Sequence, residues 1–194
     1  PRKGILNIDV LSFERLAFRV LEETGYLCED VLEETGKSLV IRKVAQNHKK
    51  ELSVLGEKMK RQGYISEMKS MVSELRQYEV SKEDMEKMLE CAKDKPELYY
   101  KLKDIAVLYD GFFEYLEGKA ITREEVLEVL GSVAGKSKKL KESILVLDGY
   151  TGFTPIQQNV LEKILPLCEE MYVTVTIGEG ERPYVQSDAT NLFY

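Results

Sequence analysis

The pattern of hydrophobic and polar positions changes twice along this chain and so divides it into three parts. In the first part, residues 4–11 alternate between apolar and polar and predict a short strand. Apolar residues then recur at intervals of three and four between Ser12, which favours a helix N-cap, and Gly25, which favours a helix end. This part therefore predicts a strand followed by an amphipathic helix.

The middle part, residues 33–141, has helical spacing throughout and contains no stretch that is typical of a strand. Ser81 with Asp84 and Thr122 with Glu125 each predict a capping box, in which two residues three apart satisfy each other's backbone amides at a helix start. The predicted helices cover residues 38–48, 64–78, 82–92, 96–117 and 123–130, with a weaker helical segment over residues 52–61 that ends at Gly63. We expect an all-helical bundle.

The middle part ends in a lysine-rich segment, residues 135–141, which is expected to be a loop. Two interpretations of this basic loop are open from the residues alone. It either contacts phosphate groups or serves as a solvated linker to the last part of the chain.

The last part begins with Ile144–Leu147, an uninterrupted apolar run that predicts a strand buried on both faces of a parallel sheet. Thr154 as N-cap, Pro155 at the first helical position and Gln157 three residues after the cap predict a helix that continues to about residue 170. Residues 172–177 alternate and predict another strand. We expect both strands to join the first strand in one parallel sheet, which makes the fold α/β with a helical insertion.

Asp148 is the position in the chain where chemistry is most expected. It follows the strand Ile144–Leu147, and ligands of open α/β sheets bind at the carboxyl ends of the strands. The carboxylate either serves a Mg-nucleotide or caps nearby backbone at a polar strand end, and position alone leaves both open. The next residue is Gly149, where many ATP-hydrolysing enzymes have a glutamate that orients the attacking water, and the sequence contains no GxxxxGK[ST] phosphate loop. By itself, this segment is not expected to hydrolyse ATP.

The composition narrows the possible functions. The net charge of −6 creates no overall positive field, so any contact with nucleic acid has to be local or shared with a basic partner. Cys28, Cys91 and Cys168 lie far apart without metal-ligand spacing, and we expect buried thiols in a reduced, cytoplasmic protein. No apolar run approaches the roughly 18 residues of a membrane span. His48, the only histidine, is expected to cap a helix end at the surface, and no metal site is predicted.

Two stretches resemble motifs of UvrD-type superfamily 1 helicases. Residues 12–21, SFERLAFRVL, resemble the helicase pattern T-F-H-x-L-A-x-R-L-L, which lines the path of single-stranded DNA in that family. Residues 147–157 resemble the pattern V-D-E-F-Q-D-T-N-x-x-Q, with Asp148 and Gln157 kept and Gly149 in place of the catalytic glutamate. The resemblance implies a degenerate nucleotide and Mg site at Asp148 and Gln157. After Gly178 the chain departs from the helicase continuation G-D-x-x-Q.

The combination of both stretches is similar to the AddB (RexB-like) family of subunits of bacterial ATP-dependent helicase/nucleases. This resemblance implies a partial RecA-like (P-loop NTPase-like) parallel sheet, made by residues 1–32 and 142–194, with an inserted helical subdomain over residues 33–141. It also implies a role in double-strand-break repair and recombination, and a share in Chi recognition. The implied partners are DNA and an AddA-like helicase/nuclease subunit. The parent subunit is expected to use Mg and ATP, and to hold an iron–sulphur cluster in a nuclease domain outside this segment, which itself is expected to hold no cofactor. The start at Pro1 and the apolar last residues also lead us to expect a piece of a longer protein.

A DNA contact is predicted at the start of the first helix. If Ser12 caps this helix, the free backbone amides of its first turn can bind a phosphate without much net positive charge. Arg15 in the first turn and Arg19 one turn further could follow a DNA backbone whose bases stack on Phe13. In the alternative, Phe13 belongs to the core and the arginines pair with acidic residues of the same helix. Those acidic residues are Glu14, Glu22 and Glu23.

Three functions are thus open from the sequence. The first is a non-catalytic, helicase-like segment that contributes to the DNA path and to subunit interactions. The second is a P-loop NTPase whose phosphate loop lies upstream and whose Asp148 holds Mg. The third is a structural helical adaptor that binds protein partners.

Overall fold

The computed structural model describes residues 8–26 and 30–175. Within these ranges the chain forms an α/β structure in which helices predominate. The elements are α1 Phe13–Thr24, α2 Glu34–Asn47, α3 Gln62–Gln77, α4 Lys82–Cys91, α5 Pro96–Leu116, α6 Arg123–Val133, α7 Lys138–Lys141, β1 Ile144–Leu147, α8 Pro155–Ile164 and β2 Glu170–Val173, with short 3₁₀ helices at Lys58–Lys60 and Ala134–Lys136. None of the helices described is long and apolar enough to cross a membrane.

The described residues fall into two compact units. One, called the helical unit below, contains residues 30–125 and 154–156. The other, called the sheet unit, contains residues 8–26, 126–153 and 157–175.

The capping boxes predicted at Ser81 with Asp84 and at Thr122 with Glu125 are confirmed. The Ser81 hydroxyl accepts a hydrogen bond from the Asp84 amide (3.1 Å), and the Asp84 carboxylate accepts one from the Ser81 amide (3.2 Å) at the start of α4. Thr122 and Glu125 make the same reciprocal pair before α6, at 3.3 and 2.7 Å. α5 begins at Pro96, as predicted. These helix starts depend on neighbours in sequence, which is why the sequence located them.

The core of the helical unit lies between α2, α3 and α5. Its fully buried side chains include Ile41, Ile65, Leu108 and Phe112. α5 approaches α2 closely at Gly111, where a Cβ atom would lie 2.8 Å from Val44 Cγ1. The two ends of the unit are joined by a parallel bridge between Val31 and Ile121. Through it, the Leu32 amide donates to the Ile121 carbonyl (2.8 Å) and the Ile121 amide to the Asp30 carbonyl (3.0 Å).

The weak helix predicted over residues 52–61 is wrong. That segment is a loop that contains only the 3₁₀ helix Lys58–Lys60. Asp104, a fully buried residue of α5, accepts hydrogen bonds from the amides of three consecutive loop residues and so satisfies these groups in the loop conformation. Those residues are Ser53 (2.8 Å), Val54 (2.7 Å) and Leu55 (2.7 Å). Gly63, predicted to end the segment, lies instead in the first turn of α3.

In the sheet unit, β1 and β2 pair in parallel, as predicted, with Ile144 opposite Glu170 and Leu147 opposite Val173. The prediction that β1 is buried on both faces is wrong for the described residues. Ile144 and Val146 are 55% and 61% exposed, and only the face that carries Leu145 and Leu147 is partly covered. Because successive side chains of a strand point to opposite faces, a sheet covered on one side buries every second residue.

α2 begins at Glu34, four residues before its predicted start, and α6 ends at Val133, three residues after its predicted end. Three boundaries in the first and last parts of the chain also differ from the sequence predictions. Of the strand expected over residues 4–11, residues 4–7 lie outside the described ranges, and residues 8–11 are not a strand, with Val10 88% exposed. The helix expected to reach residue 170 ends at Ile164, because Pro166 disfavours helical backbone at the residue before it. The last strand is β2, Glu170–Val173, two residues earlier than predicted, and residues 176–177 lie outside the described part of the chain.

Candidate nucleic-acid interface

The start of α1 has the geometry that the sequence predicts. Ser12 has extended backbone (φ −79°, ψ 165°), and its hydroxyl oxygen accepts a hydrogen bond from the Arg15 amide (3.3 Å). Gly25 ends the helix in left-handed backbone at φ 65°. Ser12, Arg15 and Arg19 are all exposed. Ser12 is therefore confirmed as the N-cap, and the first turn of α1 is open to solvent on the side that carries both arginines.

Three aromatic rings, called the aromatic trio below, join this helix start to the loop after β1. Phe13 lies edge-on to Tyr150, with ring centroids 5.8 Å apart, and edge-on to Phe153, at 6.1 Å. Tyr150 and Phe153 also contact each other at 4.9 Å. Edge-to-face pairs at these distances are attractive beyond the area they bury. The trio thus brings together the two stretches that resemble helicase motifs.

The side chains at this helix start differ from both sequence alternatives. Phe13 is half-buried, so it is neither a fully enclosed core residue nor an exposed stacking platform. Arg19 forms an ion pair with Asp9, which the sequence alternatives did not include. Both side chains are about half exposed, and a surface pair of this kind contributes at most about 1 kcal/mol, so it leaves Arg19 available to a phosphate. Arg15 makes no ion pair with any residue in the described ranges.

The lysine-rich segment is helical, which corrects the loop expected from the sequence. It contains the 3₁₀ helix Ala134–Lys136 and α7, which Ser137 caps by accepting a hydrogen bond from the Leu140 amide (3.1 Å). Glu23 of α1 completes this cap. Its carboxylate accepts from the Ser137 hydroxyl (2.5 Å) and from the amides of Lys138 and Lys139 (3.0 Å each). The Glu23 carboxylate therefore already accepts the backbone amides that a phosphate at this helix start would bind.

The Glu23 cap predicts that the stability of the α7 start depends on pH. The hydrogen bond from Ser137, helped by the Lys139 and Lys138 amides, holds the pKa of the Glu23 carboxyl below its ordinary value. A group whose pKa is lowered by folding stabilises the fold above its unfolded pKa, and this contribution is lost as the pH falls through the lowered value. We expect the amides of Lys138 and Lys139 to lose protection from hydrogen exchange on acidification, after correction for intrinsic rates. Glu23→Gln is the control, because its protection should not change with pH over that range.

At the carboxyl end of β1, Asp148 is exposed and accepts a hydrogen bond from the Thr174 hydroxyl. The Thr174 oxygen in turn accepts one from the Gly149 amide (3.3 Å). Gly149 has φ 75°, a left-handed conformation that residues other than glycine rarely adopt. A glutamate at this position would therefore be strained. Gln157 lies half-buried in α8, the helix that follows this loop.

The described residues do not by themselves form a metal site. Within them no group of three or more histidine, cysteine or acidic side chains converges. Asp148 supplies a single carboxylate, whereas Mg²⁺ in nucleotide sites needs further ligands around it.

The remaining candidates are surface groups. His48 caps the end of α2, and its Nδ1 lies 2.9 Å from Glu51 Oε1, as expected for a helix-end histidine. The prediction of buried cysteines is wrong for Cys91, which is exposed, and for Cys168, which is partly exposed. Cys28 lies outside the described residues.

Sequence reasoning missed three residues at this interface. Tyr150 and Phe153 lie inside a helicase-like stretch, and their aromatic character is a signal that pairs them with Phe13. Thr174 has no local signal, because its partners Asp148 and Gly149 are 26 and 25 residues away.

The whole chain, residues 1–194, matches the family model described as "ADDB, N-terminal". Similar proteins, named as B subunits of ATP-dependent helicase/deoxyribonucleases, include those of Lachnoclostridium phytofermentans (43% identical over 194 residues, all of this chain) and Caldanaerobacter subterraneus (34% over 190 residues, 97% of this chain). The protein of Listeria innocua is 32% identical over 178 residues, 92% of this chain. The matched region spans only 17%, 16% and 15% of these three relatives. Because the family match runs from the first residue to the last, this chain belongs to the AddB N-terminal family.

Proposed function

We propose that this chain is a non-catalytic, helicase-like segment of the B subunit of an ATP-dependent helicase/deoxyribonuclease. In this role it acts in DNA double-strand-break repair and recombination, and it contributes to the path of single-stranded DNA. The observation that carries the proposal is the aromatic trio. Phe13, Tyr150 and Phe153 bring the helix start that resembles a strand-path motif into contact with the loop that resembles a nucleotide motif.

The architecture proposed for this role is a partial RecA-like sheet with a helical insertion. Residues 1–32 and 142–194 would contribute the RecA-like parts, and residues 33–141 the inserted subdomain. The parallel pair β1–β2 connected through α8 supports this, because parallel strands need a crossover and a helix is the usual one. The helical unit, with its own core between α2, α3 and α5, supports an insertion that packs on itself as far as residue 125, whereas residues 126–141 belong to the sheet unit.

The absence of catalysis in the proposal rests on the backbone as well as on residue identity. Gly149 replaces the expected glutamate, and its left-handed φ of 75° disfavours a return to glutamate by a single substitution. Asp148 is already engaged by the Thr174 hydroxyl. Both features support a structural role, rather than a catalytic one, for the loop that resembles a nucleotide-binding motif.

Binding of DNA would depend on local geometry, since the net charge of the chain is −6. The exposed side chains of Arg15 and Arg19 lie one turn apart on α1, beside the capped helix start at Ser12. Phosphate contacts from such a pair position a strand without reading its sequence. Phe13, half-buried and held by Tyr150 and Phe153, would contribute a fixed apolar contact beside these phosphate contacts rather than a stacking platform for bases.

The names of the relatives identify each as one of the subunits of a helicase/deoxyribonuclease, which supports a second, AddA-like subunit as the partner of the parent protein. The proposal assigns ATP and Mg use, nuclease activity and an iron–sulphur cluster to regions beyond residues 1–194. The proposed compartment is the cytoplasm.

Alanine at both Arg15 and Arg19 should weaken binding of single-stranded DNA by the full-length subunit assembled with its partner. We expect a loss of about tenfold at physiological salt, equal for all DNA sequences, because two phosphate contacts are removed. The slope of log affinity against log salt should become shallower by about 1 to 1.5. Fluorescence anisotropy of a labelled oligonucleotide at several salt concentrations measures both quantities.

Alanine at Lys101 and Lys103 is the matched control. These substitutions remove the same number of charges from exposed positions of α5 in the helical unit, and affinity and slope should stay near those of the unmodified protein. An unchanged slope in the arginine variant, or an equal change in the lysine variant, would assign α1 to the scaffold instead.

A further inference from the structure

Thr174 occupies a defined place just beyond β2. Its amide donates to the Leu147 carbonyl (2.9 Å) and so continues the β1–β2 pairing by one residue. This backbone bond brings the side chain of Thr174 beside the two residues that follow β1, Asp148 and Gly149. The position of the hydroxyl is therefore set by the register of the sheet.

The Thr174 hydroxyl uses both of its hydrogen-bonding capacities at this point. It donates its proton to Asp148 Oδ1 and accepts the Gly149 amide at 3.3 Å. A hydroxyl has one proton to donate, so the two bonds are compatible and complementary. Together they join a side chain and a backbone group of the loop to the next strand, an arrangement called the Thr174 clasp below.

The clasp lies at the point where the loop changes direction. Gly149 adopts its left-handed φ of 75° directly at the clasp, and Tyr150 follows with its ring on Phe13. The other end of the loop is held by α8, which starts at Pro155. The direction in which the loop leaves β1 thus determines whether Tyr150 and Phe153 reach Phe13.

We propose that Thr174 is the positioning residue of the candidate interface. Its clasp on Asp148 and the Gly149 amide, rather than a cation bound at Asp148, sets the conformation of the loop that carries Tyr150 and Phe153. The part of this inference that concerns DNA rests on the proposed function above. The part that concerns the loop stands on the hydrogen bonds alone.

A clasp and a cation make different demands on residue 148. The Thr174 proton needs only an oxygen acceptor, which an asparagine amide also supplies. A Mg²⁺ ion at this position is bound more strongly by a carboxylate than by a neutral amide. Asp148→Asn therefore keeps both bonds of the clasp and weakens a cation site, whereas Asp148→Ala removes the Asp148 bond of the clasp together with the cation site.

The test measures hydrogen–deuterium exchange of peptides that cover residues 148–153 in the full-length subunit assembled with its partner. Thr174→Val keeps the shape of the side chain and removes the hydroxyl, and Thr174→Ser keeps the hydroxyl. We expect Thr174→Val to speed exchange in these peptides by about three- to tenfold, the range for one lost hydrogen bond. Thr174→Ser and Asp148→Asn should stay within about twofold of the unmodified protein, and Asp148→Ala should resemble Thr174→Val.

Unchanged exchange in Thr174→Val would overturn the inference. Two other results would also overturn it: exchange in Asp148→Asn as fast as in Asp148→Ala, or a changed exchange rate in these peptides when magnesium ion is added to the unmodified protein. Either of these two results would show that the charge of Asp148, and not the Thr174 hydroxyl, sets the conformation of the loop.

Single-strand binding separates this inference from the proposed function. Thr174→Val should weaken affinity without changing the salt slope, since it removes no phosphate contact. Faster exchange in Thr174→Val, together with unaltered DNA binding in the Arg15 and Arg19 variant, would keep the clasp and reject the DNA path. Unchanged exchange in Thr174→Val, together with weaker DNA binding by the Arg15 and Arg19 variant, would reject the clasp and keep the DNA path.

Discussion

Alanine in place of Asp104 is expected to destabilise the helical unit by about 3 to 5 kcal/mol, close to the upper limit for a single substitution. The Asp104 carboxylate is fully buried and is the acceptor for three consecutive backbone amides at 2.7 to 2.8 Å. Its removal leaves these amides without their acceptor, and the buried position of Leu55 limits the access of water to them. Hydrogen bonds to a charged acceptor are the strong ones, so the loss exceeds that of a neutral cap.

Hydrogen exchange of the full-length protein in increasing denaturant measures this effect as a free energy of opening for residues 52–60. Asp104→Asn should fall between the alanine variant and the unmodified protein, because its one carbonyl oxygen can serve some of the amides and its NH₂ group opposes the others. Asp94→Ala, at an exposed position before α5, is the matched control and should change opening little. A loss below about 1 kcal/mol in Asp104→Ala would mean that water replaces the carboxylate in this loop.

Methionine in place of Lys37 should destabilise the same unit by about 3 kcal/mol, although it preserves the apolar length of the side chain. Lys37 is 1% exposed, and its Nζ donates to Ser73 Oγ (2.7 Å) and lies 3.4 Å from the buried Glu124 carboxylate. The cation thus joins α2, α3 and α6 inside the unit. Its removal leaves the charge of Glu124 buried without a partner. The free-energy cost of this unpaired charge is larger than the net contribution of the intact ion pair to stability.

Glu124→Leu combined with Lys37→Met should recover most of this loss. Replacing both partners by apolar residues removes both desolvation costs, so the double variant is expected within about 1 kcal/mol of the unmodified protein. A double-mutant cycle on the opening free energies of α2 and α6 peptides gives the coupling. Losses that simply add in the double variant would show that the two side chains act independently.

Three of the helix starts are predictable here because their signals are local. The boxes Ser81 with Asp84 and Thr122 with Glu125, and the cap at Ser12, each join groups within three residues of one another. The strand Ile144–Leu147 is likewise located to the residue, because its apolar run is bounded by polar residues on both sides.

Two of the wrong predictions share a physical cause, which is the competition of a distant group with a local preference. Residues 52–61 have a helical pattern, but the Asp104 carboxylate, about fifty residues away, fixes the start of this segment as a loop by accepting from three consecutive amides. The lysine-rich segment has the composition of a loop, yet Glu23 accepts from the amides of Lys138 and Lys139 and caps it as a helix. The length of α8 has a local cause instead, because Pro166 ends a helix that the apolar spacing alone would extend.

The candidate site shows the same division. The sequence by itself determined which groups are present at the start of α1, namely the Ser12 cap and the positions of Phe13, Arg15 and Arg19, because helical geometry follows from near neighbours. The tertiary structure alone decided what Phe13 contacts and what Asp148 does. The register of two parallel strands brings Thr174 to Asp148 across 26 residues, and a one-residue slip would turn the side chain of Thr174 to the other face of the sheet.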